Sequence, residues 1–239
     1  MQLLLNRLQE EKQMKHKGGI YHRTQILFAY NTNRIEGSRL SEEQTRYIYE
    51  THTLSAVQNE AINVDDIIET NNHFLCFDYM LENAKEPLSE DMIKEYHRIL
   101  KRSTSDERKD WFNVGEYKAL PNTVGDAETS LPEKVSEDMR NLITSYSGSG
   151  KINFEDIVDF HYRFESIHPF QDGNGRVGRL IMFKECLANG IMPFIVRDEQ
   201  KLFYYRGLRE YPNEKGYLLE TCRSFQDYYQ NIVNYYIPN

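Results

Sequence analysis

Apolar residues recur at spacings of three and four along nearly the whole chain, which confines it to helices packed against helices. One stripe runs through Met92, Ile93, Tyr96, Ile99 and Leu100, and a second through Val135, Met139, Leu142 and Tyr146. A third carries Phe154, Ile157, Val158, Phe160, Phe164 and Ile167, and Val64 to Asn83 repeats the spacing. Start and stop residues stand where such helices need them. Ser41 followed by Gln44 makes a capping box, Asn153 is an N-cap, and Gly37 and Gly190 close helices. Further helices are expected over Met1 to His16, Tyr21 to Ile35, Arg176 to Asn189, Asp198 to Tyr211 and Glu214 to Tyr236. Only Trp111 to Leu131 breaks the period: Gly115, Pro121, Asn122 and Gly125 punctuate short apolar stretches and predict a β-hairpin or ordered loop. The expected fold class is all-α with one small hairpin.

Composition narrows the function classes. With 239 residues, 39% of them hydrophobic, the chain can build a core without disulfides. Its net charge of −8 argues against general nucleic-acid binding, which rests on basic surface. Cys76, Cys186 and Cys222 are odd in number and widely spaced, so they read as free thiols of a reducing compartment. The apolar run near Met1 is too short for a signal-peptide core, and no stretch approaches the roughly 18 apolar residues of a membrane span. A cytoplasmic protein with no membrane or nucleic-acid partner is expected.

The chemistry concentrates between His168 and Arg179, in the run HPFQDGNGRVGR. Pro169 forces His168 out of right-handed helix, so the preceding helix stops near Ile167 and His168 faces a loop. Gly173 and Gly175 let backbone amides approach a ligand, and a helix opening near Arg176 points its N-terminus at the same place. Arg176 and Arg179 lie about 4.5 Å apart along that helix and can clamp consecutive phosphates. Asp172 supplies the single carboxylate that Mg²⁺ commonly takes beside phosphate oxygens. His168 has the ionisation range of a general base. The embedded GxGxxG of Gly173 to Gly178 is not a dinucleotide fingerprint, because a helical pattern and not a strand precedes it.

At every defined position this run resembles the Fic family signature, HPFx[D/E]GNGRxxR. The resemblance extends over roughly Tyr21 to Tyr236, with Asn122 to Gly125 and the helix after Pro132 similar to the family's flap and following helix. It implies a helical domain with a β-hairpin flap that transfers AMP from ATP to a Ser, Thr or Tyr hydroxyl of a target protein, itself included. In that reading His168 is the general base and Asp172 holds Mg²⁺. Gly173, Asn174 and Gly175 line the anion hole, while Arg176 and Arg179 contact the β- and γ-phosphates. Pro121, Asn122, Thr123 and Val124 align the target segment. Tyr204, Tyr205 and Asn213 resemble the adenosine side, although an aromatic pair at helical spacing also packs as core. Gly175 stands where a phosphate-transferring branch of the family has lysine, which favours AMP transfer.

Thr32 to Gly37 resembles the family's inhibitory helix, [S/T]xxxE[G/N]. Thr32 and Glu36 share a helix face, and Glu36 lies in the last turn, where the helix dipole disfavours an anion and calls for a cation. Arg34 and Arg39 are local partners; the resemblance implies Arg179 instead, with Glu36 in the place of the γ-phosphate. Residues 1–60 are then N-terminal helices that include the inhibitory helix at about 21–37, and 61–239 the catalytic core and C-terminal helices. A homo-oligomer is compatible with the sequence. The competing readings are removal of AMP from a modified protein, and a non-catalytic interaction module.

Overall fold

The computed structural model describes residues 2–54, 61–125, 127–148 and 150–238. Met1 and the division expected at residue 60 lie outside them. Ten α-helices occur among the described residues: α1 (Gln2–Met14), α2 (Ile20–Ile35), α3 (Glu42–Thr51), α4 (Val64–Glu82) and α5 (Glu90–Lys101) precede the hairpin β1 (Thr123–Val124) and β2 (Ala127–Glu128). After it come α6 (Pro132–Ser147), α7 (Phe154–Ile167), α8 (Asn174–Ala188), α9 (Lys201–Glu210) and α10 (Gly216–Tyr236). The all-α class with one hairpin is what the periodicity predicts. The expected capping box forms at Ser41 with Gln44, and Asn153 caps α7 as expected, in a box completed by Asp156.

The centre of the molecule is α8. Val177, Leu180, Ile181, Met182, Phe183, Cys186 and Leu187 are all buried on it, so apolar residues surround its axis and neighbours must cover every side. It packs against α7, α4, α5 and α2. The N-terminal helices join the same core: Leu4, Leu5 and Leu8 of α1 and Phe28 of α2 pack with Phe77 of α4 and Phe183 of α8. Phe28 and Phe183 have ring centroids 5.3 Å apart. Residues before and after position 60 therefore share one apolar interior.

Four charged residues of α8 are also buried: Arg176, Arg179, Lys184 and Glu185. A buried charge requires a partner. Lys184 pairs with Glu185 at 2.8 Å, and Glu185 accepts from the Tyr146 hydroxyl at 2.9 Å. The partners of the two arginines come from α4, from α2 and from the loop before α8, and they define the site. The three cysteines are free and buried, and no helix among the described residues is long and apolar enough to cross a membrane.

Candidate active site

The loop between α7 and α8 is shaped by three backbone devices. His168 ends α7 in the left-handed conformation (φ 51°, ψ 63°), the exit that Pro169 leaves open. Gly173 is left-handed too (φ 84°) and starts α8 at Asn174, two residues earlier than the sequence suggests. Between them the Asn174 side chain donates to the Phe170 carbonyl and accepts from the Phe170 amide, both at 2.8 Å. That side chain is consumed in closing the loop, so Asn174 has only its backbone to offer an anion. Phe170 is fully buried and stacks on His97 at 4.1 Å; His97 in turn bonds the Asp172 carbonyl at 3.1 Å.

The first-turn amides of α8 have no intrahelical acceptor and carry the positive end of the helix dipole. Arg179 stands one turn further along and is 2% exposed. Its Nη2 donates to Glu36 Oε1 at 2.6 Å, its Nε to Thr32 Oγ1 at 2.6 Å, and Nη2 also to the Thr32 carbonyl at 3.2 Å. Burial disfavours the Arg179 charge, but the Glu36 carboxylate, with Tyr204 and Glu165 adding to it, outweighs this and raises its pKa. Of the two local candidates, Arg34 donates to the Ser38 carbonyl and faces Asp198 at 3.7 Å, while the Arg39 amide donates to Asp66. Glycine at 175 is what lets Glu36 approach: a Cβ there would overlap the Glu36 carboxylate.

Arg176 does something different. Its guanidinium pairs with Glu69 of α4 and, at 2.9 Å, with Asp172. Lys101, at the end of α5, reaches Glu69 at 2.5 Å, Asp106 at 2.5 Å and Asp172 at 2.7 Å. The three carboxylates cluster closely enough to suggest a metal, but the Lys101 ammonium already sits among them. Burial works to raise the Asp172 pKa; Arg176 and Lys101 outweigh it and hold the carboxyl well below the usual range. Its side chain is 47% exposed, so an ionised oxygen is available to solvent at the mouth of the loop.

His168 is mostly buried, with Nδ1 3.3 Å from the Glu165 carbonyl. Burial lowers its pKa, the Glu165 carbonyl works against this, and the nearby Lys118 adds to it. Beneath it the Glu165 carboxyl lies 3.8 Å from His168 and 3.9 Å from His161, and burial pushes its pKa up to about 8. Glu165 Oε1 has no hydrogen-bond partner among the described residues.

The hairpin pairs Thr123 with Glu128 and Val124 with Ala127, and all four are exposed. Asn122 is fixed to the loop, donating to the Phe170 carbonyl at 3.0 Å. Tyr204 is 1% exposed and its hydroxyl meets His161 Nε2 at 2.5 Å, so it is core, the other of the two readings of the aromatic pair. Tyr205 is 41% exposed and donates to the Ile35 carbonyl at 3.0 Å, which attaches α9 to the end of α2. Asn213 lies on the exposed turn beyond α9. Sequence reasoning missed Glu69, Lys101, Lys118 and Glu165. Lys101 carried a signal: it follows His97 by four residues on the buried stripe of α5, where only a paired charge is tolerated.

Residues 87–186 match the Fic/DOC family profile. The chain carries a Fic domain. The match spans α5 to most of α8, with α1 to α4 outside it. Among curated proteins the chain is 28% identical over 193 residues to protein adenylyltransferase fic-1 of Caenorhabditis elegans, covering 77% of this chain and 36% of that one. It is 27% identical over 190 residues to protein adenylyltransferase Fic of Nematostella vectensis, covering 76% and 42%. The chain thus spans roughly two fifths or less of the length of these relatives. Among solved structures, a Fic-domain signalling protein of Bacteroides thetaiotaomicron superposes with a TM-score of 0.72 at 25% identity, over 95% of this chain and 91% of that one. A fragment of C. elegans Fic-1 gives 0.75 at 21% identity, over 97% and 71%, and shares the Fic fold.

Proposed function

We propose that this Fic protein transfers AMP from ATP to a hydroxyl of a target protein, itself among the targets, and that Glu36 restrains it. The observation that carries the reading is the Arg179 guanidinium, buried one turn inside α8 and bonded to both Thr32 and Glu36. An arginine in that position is matched to a phosphate, and here a carboxylate of the same chain occupies it. The names of the curated relatives give the reaction class.

In the reaction His168 accepts the proton of the attacking hydroxyl, the hydroxyl oxygen bonds to the α-phosphorus, and pyrophosphate departs with the electrons of the broken P–O bond. Burial suits His168 to this, because it favours the neutral imidazole. The α8 amides receive the phosphate oxygens and Arg179 the far phosphate. Arg176 contacts the β-phosphate and also helps to hold Asp172 ionised. Asp172, half-exposed and ionised, fits a hard divalent cation that takes one carboxylate. Mg²⁺ held there would neutralise phosphate charge. The exposed hairpin edge suits pairing with an extended target segment. Residues 1–60 act as the regulatory part through α2.

The test is a labelled-ATP incubation of cell lysate with the Glu36→Gly protein and with Glu36→Gly/His168→Ala. The proposal expects AMP-bearing bands only with the first. Identical band patterns would refute it.

A further inference from the structure

Lys118 is 4% exposed, and no carboxylate pairs with it among the described residues. Its ammonium instead meets three neutral oxygens: Asn122 Oδ1 and Thr129 Oγ1, each at 2.7 Å, and the Ile167 carbonyl at 3.3 Å. Its backbone amide donates to the Pro169 carbonyl at 2.9 Å. Asn122 and Thr129 flank the two strands of the hairpin, and Thr129 Oγ1 also bonds Asn122 Oδ1 at 2.7 Å. Ile167 and Pro169 flank His168. One side chain therefore ties both ends of the hairpin to the residue before His168, and its backbone ties the same segment to the residue after.

A buried cation without a counter-ion is costly, and packing alone gives no reason for it. We propose that Lys118 is a positioning residue that holds the hairpin and His168 in one register, so that a target hydroxyl presented on the hairpin arrives at the imidazole. This rests on the AMP-transfer reading of the site. The lysine has a second effect through charge. The charged and titratable groups that face His168 are Glu165 on its own helix, Glu36 of α2, Asp172 in the following loop and Lys118. Lys118 is the cation of that set, and its charge opposes protonation of His168. Burial lowers the lysine's own pKa to about 8, so it is still largely charged at neutral pH.

The experiment uses the full chain with Lys118→Met and Lys118→Arg. The imidazole resonance of His168, assigned by its loss in His168→Gln, is followed by NMR against pH. AMP transfer is measured in parallel in the Glu36→Gly background. Lys118→Met is expected to move the His168 titration to higher pH. It should also lower kcat for transfer at least tenfold with KM for ATP unchanged, because the α8 amides and Arg179 are untouched. Lys118→Arg keeps the charge and donors and should return both readouts towards the parent. An unmoved His168 titration with parent-like transfer in Lys118→Met overturns the proposal, as does a folded Lys118→Arg protein as impaired as Lys118→Met. If Lys118→Met does not fold, Thr129→Val removes one of the three acceptors, and unchanged kcat there counts against the proposal. Absence of transfer with Lys118 intact would overturn the AMP-transfer reading instead, and the NMR titration would still report on Lys118.

Discussion

Replacing Glu36 by glycine changes two quantities in opposite directions. The carboxylate contributes one charge-assisted hydrogen bond to Arg179, at 2.6 Å. Such bonds are worth about 1.5–3 kcal/mol net. If that bond is what ATP must displace to seat its far phosphate on Arg179, removing it raises AMP transfer about 10- to 150-fold. The same change leaves a cation that is 2% exposed without the carboxylate bonded to it, though Thr32 still accepts from it. Stripping one member from a buried pair costs about 3–5 kcal/mol, but the Glu36 side chain is 29% exposed and water can replace part of it, so about 1–2 kcal/mol is expected. For a chain of this length that lowers Tm by roughly 2–8 °C. The assay is initial AMP incorporation from labelled ATP with Mg²⁺ by wild type and Glu36→Gly, beside a thermal melt of each. Arg179→Ala in the Glu36→Gly background should be inactive. Equal incorporation by wild type and Glu36→Gly refutes the inhibitory role, whatever the melts show.

His168→Ala in the Glu36→Gly background should lose about 10²–10⁴ in transfer rate, the usual cost of a missing general base. Because burial lowers the His168 pKa, the acid limb of kcat/KM against pH should fall below the ordinary imidazole value of 6.5; a midpoint above it contradicts the assignment. Glu165 bears on stability: its pKa is about 8 in the fold against an ordinary 4.5, so between these values the folded chain binds the extra proton. Stability from this group therefore falls as pH rises from 4.5 through 8, and melts of Glu165→Gln should show a shallower decline over that range than wild type. Gly175→Ala should destabilise wild type, since its Cβ meets the Glu36 carboxylate and the Arg179 guanidinium, and should cost less beside Glu36→Gly, where only the overlap with Arg179 remains. An equal cost in both backgrounds would remove the steric link.

The helices were legible because each apolar stripe must be buried, and α4 to α7 run almost where the spacing puts them. The start of α8 was misread by two residues: Gly173 can enter the left-handed region directly, and nothing in the spacing signals that Asn174 turns back onto Phe170. The run from His168 to Arg179 was legible as a site because so many polar and glycine residues in twelve positions serve no packing purpose. The partners that tune it were not. Glu69, Lys101 and Lys118 reach it from other elements, and pairing across 32 to 107 residues leaves no local pattern, while Glu165, one turn before His168, is marked out only by its burial in the fold. Tyr204 and Tyr205 illustrate the limit: adjacent on α9, one is sealed against His161 and the other reaches the end of α2. Helical phase separates them only once the core is known.

The central claim is that the group transferred is AMP. It is tested most directly by offering the Glu36→Gly protein ATP labelled either at the α- or at the γ-phosphate, with Mg²⁺, and reading label on protein. The account predicts α-label on the protein, including on the enzyme itself, with γ-label leaving as pyrophosphate. Label from the γ-position on protein, or none from either, would contradict it.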